Sequence, residues 1–460
     1  MRLPDSTRRT GGTVVSKRVR LALYLFLFLL IYDGALRKWV LPGIEQLLFI
    51  AKDALLLGVF LHVMLNRPRQ IRAAMQPAAA TLLLLYGSWV LLQAGNVNLP
   101  SVFVGIWGLK AHLLYASLIL LLPLVFNSLE HLFRWLEQAY PWIVIPVCVL
   151  AFVQLGAPAD SLINQQVRGG MDMISYFGES SLVRVTGTFS YITGMSSFVQ
   201  VTTVLGMGLF LGGARSRRFL IGLGFAVAAL PATGSRGVIV VVAVSAVMML
   251  LAALVARVIG TRMALRIVVS IAILGVISLQ AQDAAWMALQ ERTVAVAERT
   301  SDIGRSFTAF TNAFRFFDTA GFFGFGAGAA NMGAPPLAKD VAPFSWFPPG
   351  TGFEEESGRI VLELGIFGWL FSQLMRIALF LWSAKLALSG SARTIRLAAV
   401  LALPVMALGM YVGNGVFSPP IGASYYWFCV ALLAMAHFEQ RQALLQRAHR
   451  RTKLSRAGIA

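Results

Sequence analysis

The chain has 460 residues, of which 57% are hydrophobic and only 13% charged, with a mean hydropathy of +0.73. A soluble protein this apolar would have too little polar surface to stay in solution, so the composition excludes an ordinary soluble enzyme and makes the bilayer the solvent. The net charge of +19 does not mark a nucleic-acid binder, because most cations fall in short connectors between apolar spans, where they bias membrane topology.

Taken in chain order, the N-terminus "MRLPDSTRRTGGTVVSKRVR" is basic. The apolar run after it lacks a small-residue cleavage site, so it reads as a retained first span rather than a signal peptide. About twelve transmembrane helices follow from the roughly 20-residue length that a bilayer demands. They centre on 21–40, 43–64, 78–94, 102–126, 140–156, 189–211, 219–233, 237–257, 265–281, 358–383, 396–413 and 423–438. The expected fold is therefore all-α and polytopic. Spans one to nine occupy 1–281, an external (periplasmic) loop 282–357, spans ten to twelve 358–438, and a basic cytoplasmic tail 439–460.

An inside N-terminus puts "NRPRQIR", "ARSRR", "ARVIGTRMALR", "SGSARTIR" and the tail on the cytoplasmic side. The positive-inside bias requires this arrangement, and the reverse orientation violates it repeatedly. Two sizeable segments are left outside, about 156–188 and 282–357. A connector as long as the second is usually functional when it is ordered. Its stretch "AWMALQERTVAVAERTSDIGRSFTAFTNAFRFF" predicts one or two short helices along the membrane surface. The two cysteines, Cys148 and Cys429, lie inside apolar runs and form no redox or disulfide pattern.

The external segments hold arginines against the charge bias: Arg168, Arg184, Arg292, Arg299, Arg305 and Arg315, joined by Arg236 at the mouth of its helix. One reading pairs them with Glu291, Glu298, Asp302, Asp318 and lipid headgroups. The other gives them an anionic phosphate-bearing ligand, which suits the planar guanidinium fork. Arg236 lies between Gly234, Ser235 and Gly237, where small residues admit close backbone approach and a starting helix favours anions. The glycine-rich "GFFGFGAGAANMG", with Gly324, Gly326 and Gly328, is a tight turn that can also let backbone approach a ligand. No strand precedes it, so a dinucleotide fold is not supported.

Intramembrane charges stand out at Lys52, Asp53, Lys110, Glu363 and Arg376, and such residues default to a functional hypothesis. Lys52 and Asp53 could neutralise each other locally, although adjacent helical residues diverge by about 100°. No histidine falls in an external segment, and no zinc spacing, phosphate loop or nucleophile elbow is present. A carboxylate is then the obvious external base. Asp172, Glu179 and the run Glu354, Glu355 and Glu356 are available, and acids opening a helix are also simple helix-dipole partners.

Three stretches together resemble the O-antigen ligase and polymerase (WaaL/Wzy-type) family of membrane glycosyltransferases. They are "RVTGTFSYITGMSSFV", "ATGSRGVIVVV", and the series "GRSFTAFTNAFRFFDTAGFFGFGAGAANM" followed by "EEESGRIVLELGIFGWLF". The resemblance implies cofactor-free, metal-independent, inverting transfer of a glycan from a polyprenyl diphosphate, at the outer face of the bacterial inner membrane. Arg236 and Arg305 are then the leading diphosphate ligands, with Arg184 and Arg315 behind them, and a base among Glu355, Glu356 and Glu354. Relatives often carry a His-Asn pair about where Glu354 and Glu355 stand here, a departure that favours a polymerase of exopolysaccharide or O-antigen repeat units over a ligase to lipid A-core. Implied partners are the polyprenyl-diphosphate-linked glycan, membrane lipids, and chain-length or export proteins, with no nucleic acid. A lipid-linked oligosaccharide flippase is the competing class.

Overall fold

The computed structural model describes residues 17–66, 75–167, 175–177, 182–267, 311, 313–331, 356–410 and 419–456, with single residues 269, 273 and 337. Among the described residues the regular elements are helices, and the only strand-like pairing is one bridge between Tyr176 and Val183. They run as α1 (Lys17–Ala35), α2 (Glu45–Asn66), α3 (Pro77–Ala94), α4 (Val102–Leu113), α5 (Leu118–Val125), α6 (Leu129–Gly156) and α7 (Ile192–Gly212). After these come α8 (Arg217–Ala232), α9 (Arg236–Val255), α10 (Phe317–Ala320), α11 (Glu356–Ser389), α12 (Arg393–Met410) and α13 (Pro420–Arg456).

Ten helical segments among the described residues are long and apolar enough to cross a membrane, so the chain is a multi-pass membrane protein. Two further spans were expected. The seventh forms a helix, α8, but of only 16 residues, or about 24 Å, short against a hydrocarbon layer of about 30 Å. The ninth, 265–281, lies largely outside the described residues.

Helix starts follow local chemistry. Gln76 accepts a hydrogen bond from Ala79 N ahead of Pro77, Ser101 from Phe103 N, and Ser128 from His131 N, each filling a donor that a helix start leaves open. At the other end of α7, Gly213 (φ 109) closes the helix in left-handed conformation. The fourth span is not continuous, since a 3-10 turn over Leu114–Ser117 separates α4 from α5. Helix α11 packs on α3 and α12, α12 on α13, and α6 on α8.

The feature that most shapes the molecule is a break in α11. Gly365 (φ 69, ψ −173) interrupts the helix, and the backbone groups this releases are taken up by the glycine-rich turn at 321–331. Ile366 N donates to Gly321 O (3.0 Å) and Phe367 N to Phe322 O (3.3 Å). In return Leu362 O accepts from Phe325 N (2.8 Å) and Glu363 O from Gly326 N (2.9 Å). The Leu364 carbonyl accepts from Trp89 Nε1 of α3 (2.8 Å). The turn is also tied to α3 through Ala327 N and Gln93 O (2.9 Å). Non-helical backbone inside a membrane protein is tolerated only where protein satisfies it, and here the two interruptions satisfy each other.

The three glycines singled out in the sequence explain how the turn fits. Gly324, Gly326 and Gly328 all have positive φ. A Cβ on Gly324 would strike the backbone of Gly365, and one on Gly328 the Val104 carbonyl of α4. Replacing Gly365 itself with alanine forces a side chain into a backbone region that is essentially glycine-only, costing about 1–3 kcal/mol, and drives it against Phe322 O. Gly365→Ala is therefore expected to lower the thermal unfolding midpoint of the detergent-solubilised protein sharply, whereas Gly58→Ala, at an open site, leaves it unchanged.

Candidate functional site

Charged side chains buried between helices form two sets. In the first, Lys52 reaches across to Asp33 of α1 (2.6 Å) and Asp53 pairs with Lys110 of α4 (2.8 Å). Tyr115 donates to Asp53 (3.0 Å), and the Phe49 ring lies under Lys52 and Lys110. Lys52 and Asp53 are therefore not each other's partners. As their divergence on the helix demanded, each crosses to a different helix, so the set clamps α1, α2 and α4 together.

The second set surrounds the break in α11. His112 Nε2 lies 2.6 Å from Glu363 Oε2, with Tyr86 Oη 2.8 Å from the other ring nitrogen. Arg359 donates to both oxygens of Glu363 (3.2 and 3.3 Å), and the Gly328 N–H donates to the same carboxylate. Beside it, Arg376 donates to Glu356 (2.6 Å) and to the Gly409 carbonyl of α12 (2.6 Å). All six side chains in the two chains of contacts are buried.

Glu356 is one of the three glutamates expected to supply a base. In the structure it opens α11, is 3% exposed and is held by Arg376, so its carboxylate ties together the two arms of α11 on either side of the Gly365 break. Glu354 and Glu355 lie outside the described residues. His112 is set aside by the sequence reading with the other histidines, because none lies in an external segment. It sits in mid-span, and its contact with Glu363 bridges 251 residues, a separation that no local spacing exposes.

The arginines converge elsewhere, where the C-termini of α1, α6 and α8 meet the N-termini of α7 and α9. Residues 184–190 thread between these helix ends. Arg184 Nε and NH2 bond the Thr233 carbonyl (3.3 and 3.2 Å), at the turn Thr233–Ser235 from which α9 starts with Arg236. Gly234 has φ +62, and a Cβ there would press on Arg184 Nε and the Phe177 ring. The structure thus brings Arg184 and Arg236 to one turn, both half-buried. Arg315 lies on an exposed helical stretch before α10, and Arg305 is outside the described residues.

Two cations that sequence reasoning passed over join the same threaded segment. Helix α1 ends in a π turn, Leu36–Val40. From it Arg37 NH1 donates to Ser190 Oγ (2.9 Å) and Lys38 Nζ to Thr186 Oγ1 (2.9 Å) and Gly187 O (3.3 Å). Gly34 permits this approach, since a Cβ there would collide with the Phe189–Ser190 backbone. From α6, Gln154 accepts from Gly187 N (2.7 Å), and Thr188 bonds the Ile31 carbonyl (2.6 Å). The signal was present as "ALRKWV", two adjacent cations closing an apolar run, but span ends commonly carry such residues.

Chemically, the assembly offers guanidinium and ammonium groups on a fixed scaffold of backbone carbonyls and hydroxyls, suited to an anion with several oxygens. Among the described residues no group of three or more His, Cys, Asp or Glu could hold a metal ion. No protein-family profile matches this chain, and no curated protein matches it.

Proposed function

We propose that this protein polymerises polyprenyl-diphosphate-linked oligosaccharide repeat units into exopolysaccharide or O-antigen, at the outer face of a bacterial inner membrane. The observation that carries the reading is the meeting of Arg184 and Arg236, 52 residues apart in sequence, at the Thr233–Ser235 turn. Guanidinium groups at helix ends in so apolar a protein are costly unless they serve a polar site. A diphosphate at the head of a lipid is a ligand that reaches such a site from the bilayer.

In the proposed reaction an acceptor sugar hydroxyl attacks the anomeric carbon of the donor glycan from the face opposite the diphosphate. The new C–O bond forms as the anomeric C–O bond to phosphate breaks, inverting the configuration. Polyprenyl diphosphate leaves with the bonding electron pair, and arginines neutralise the charge that develops on it. The hydroxyl proton passes to a carboxylate held within hydrogen-bond reach. With Glu356 engaged by Arg376, we assign that role to Glu354 or Glu355 and give Glu356 the task of anchoring the run.

Incubating the purified protein with a lipid-linked repeat unit is expected to produce a ladder of longer lipid-linked chains together with free polyprenyl diphosphate. Movement of the lipid across proteoliposomes without bond formation would overturn the reading in favour of a flippase. A single transfer onto lipid A-core, with no ladder, would overturn it in favour of a ligase.

A further inference from the structure

Among the described residues, the lysines set between helices are not equivalent: Lys38 and Lys52 are buried and Lys110 is half-buried. Lys52 is matched by Asp33 and Lys110 by Asp53. Lys38 is as deeply buried as Lys52, at 4% exposure, yet among the described residues its ammonium meets only neutral groups, Thr186 Oγ1, Gly187 O and the face of the Trp39 ring. An ammonium has three donors, and none of these contacts brings it a counter-charge. Retaining an ammonium in an apolar interior without a counter-charge is unfavourable. The same bundle shows two lysines given aspartates, so the chain has the means to neutralise such a group.

Its place is equally specific. The Thr186–Gly187 oxygens that hold Lys38 follow Arg184 by two and three residues, and Arg37 of the same π turn holds Ser190 on the far side. Glycine at position 187 adopts φ +55, which turns its carbonyl toward the lysine while its N–H is fixed by Gln154. The Trp39 ring lies 4.8 Å from Nζ, a cation–π contact that carries no counter-charge. Lys38, on the π turn that ends α1, is thus held by the threaded segment, which Gln154 of α6 fixes in turn.

We infer that Lys38 is an anion-binding residue whose counter-charge is a phosphate of the bound polyprenyl diphosphate, with Arg37 beside it as a second, more exposed cation. This rests on the proposed function above, and it extends that site from the α8–α9 turn to the end of α1. The ligand then completes an interior charge balance that the free protein lacks. Removing the charge should therefore stabilise the empty protein while weakening its hold on ligand, two effects that a merely structural lysine would not combine.

The test uses full-length protein in neutral detergent, with thermal unfolding and direct binding of polyprenyl diphosphate as readouts. For the unaltered protein the lipid is expected to raise the midpoint. For Lys38→Met, the midpoint without ligand should equal or exceed that of the unaltered protein, and affinity should fall about 10-fold or more, as loss of one hydrogen bond to a charged group predicts. Lys38→Arg should keep part of the binding, and Lys38→Gln serves where the methionine variant does not accumulate. Unchanged affinity in Lys38→Met and Lys38→Gln overturns the inference and leaves the proposed function standing. Absence of any response by the unaltered protein overturns both. An equal response to phosphatidylglycerol vesicles or inorganic diphosphate also overturns it, because the anion would then be a headgroup or free phosphate rather than the lipid diphosphate.

Discussion

Arg236→Ala is expected to stop chain growth from a lipid-linked repeat unit, with elongation falling about 100-fold or more, the scale on which loss of one preorganised charge-stabilising donor acts. The expectation rests on where the residue stands. It is the first residue of α9, on a turn already occupied by the Arg184 guanidinium, so two forks can address one diphosphate. Arg236→Lys should recover little, since an ammonium cannot reproduce a planar bidentate fork. The sequence carries the same expectation for Arg305→Ala. Membrane insertion and the thermal midpoint should stay near those of the unaltered protein, which separates lost chemistry from lost fold. Elongation at the normal rate in Arg236→Ala would sink the diphosphate-binding role.

The second large effect concerns stability rather than turnover. Glu363 is fully buried and accepts from Arg359, His112 and the Gly328 backbone. Glu363→Ala strands a guanidinium that is 2% exposed. Breaking a buried ion pair from one side costs about 3–5 kcal/mol, and here the turn at 321–331 loses a tether as well. The double variant Arg359→Met with Glu363→Met removes both charges and is expected to recover much of the loss, since apolar replacement of a whole buried pair is often close to neutral. Thermal unfolding of the two variants side by side checks this. A single variant within about 1 kcal/mol of the unaltered protein would show that the carboxylate is not central to the packing.

The multi-pass helical class was legible in the sequence because span length and apolar run length are set by the bilayer itself. The seventh span was harder. Residues 219–233 read as a short crossing ending in PATGSRG, and α8 does end there, at Ala232, but its 16 residues fall short of a full bilayer span. The arginines could be found by charge against topology, and Arg184 and Arg236 do share a turn. Lys38 and Arg37 could not, because their significance lies in which oxygens a distant segment brings to them. The same holds for Lys52 and Asp53. Their adjacency suggested a local pair, whereas partners 19 and 57 residues away were decisive. Glu363 was visible as an intramembrane charge, but its histidine partner was not, since pairing across 251 residues leaves no periodic trace.

The exchange of hydrogen bonds between the glycine turn and the break in α11 also constrains how the chain can be assembled. Residues 321–331 are synthesised before Gly365, and α3 and α4, against which they pack, earlier still. Until α11 arrives, Phe325 N and Gly326 N have no carbonyls of their own to meet. Until the turn is seated, Ile366 N and Phe367 N can meet Leu362 O and Glu363 O only by closing α11 into an unbroken helix. The broken form of α11 therefore depends on the turn, because bare peptide groups at Gly365 would be too costly in hydrocarbon. The tenth helix of the sequence reading can thus enter the bilayer as an unbroken span before the turn is seated. It becomes a membrane helix in its final form only against a surface made by chain that preceded it, so the order of synthesis is part of the fold.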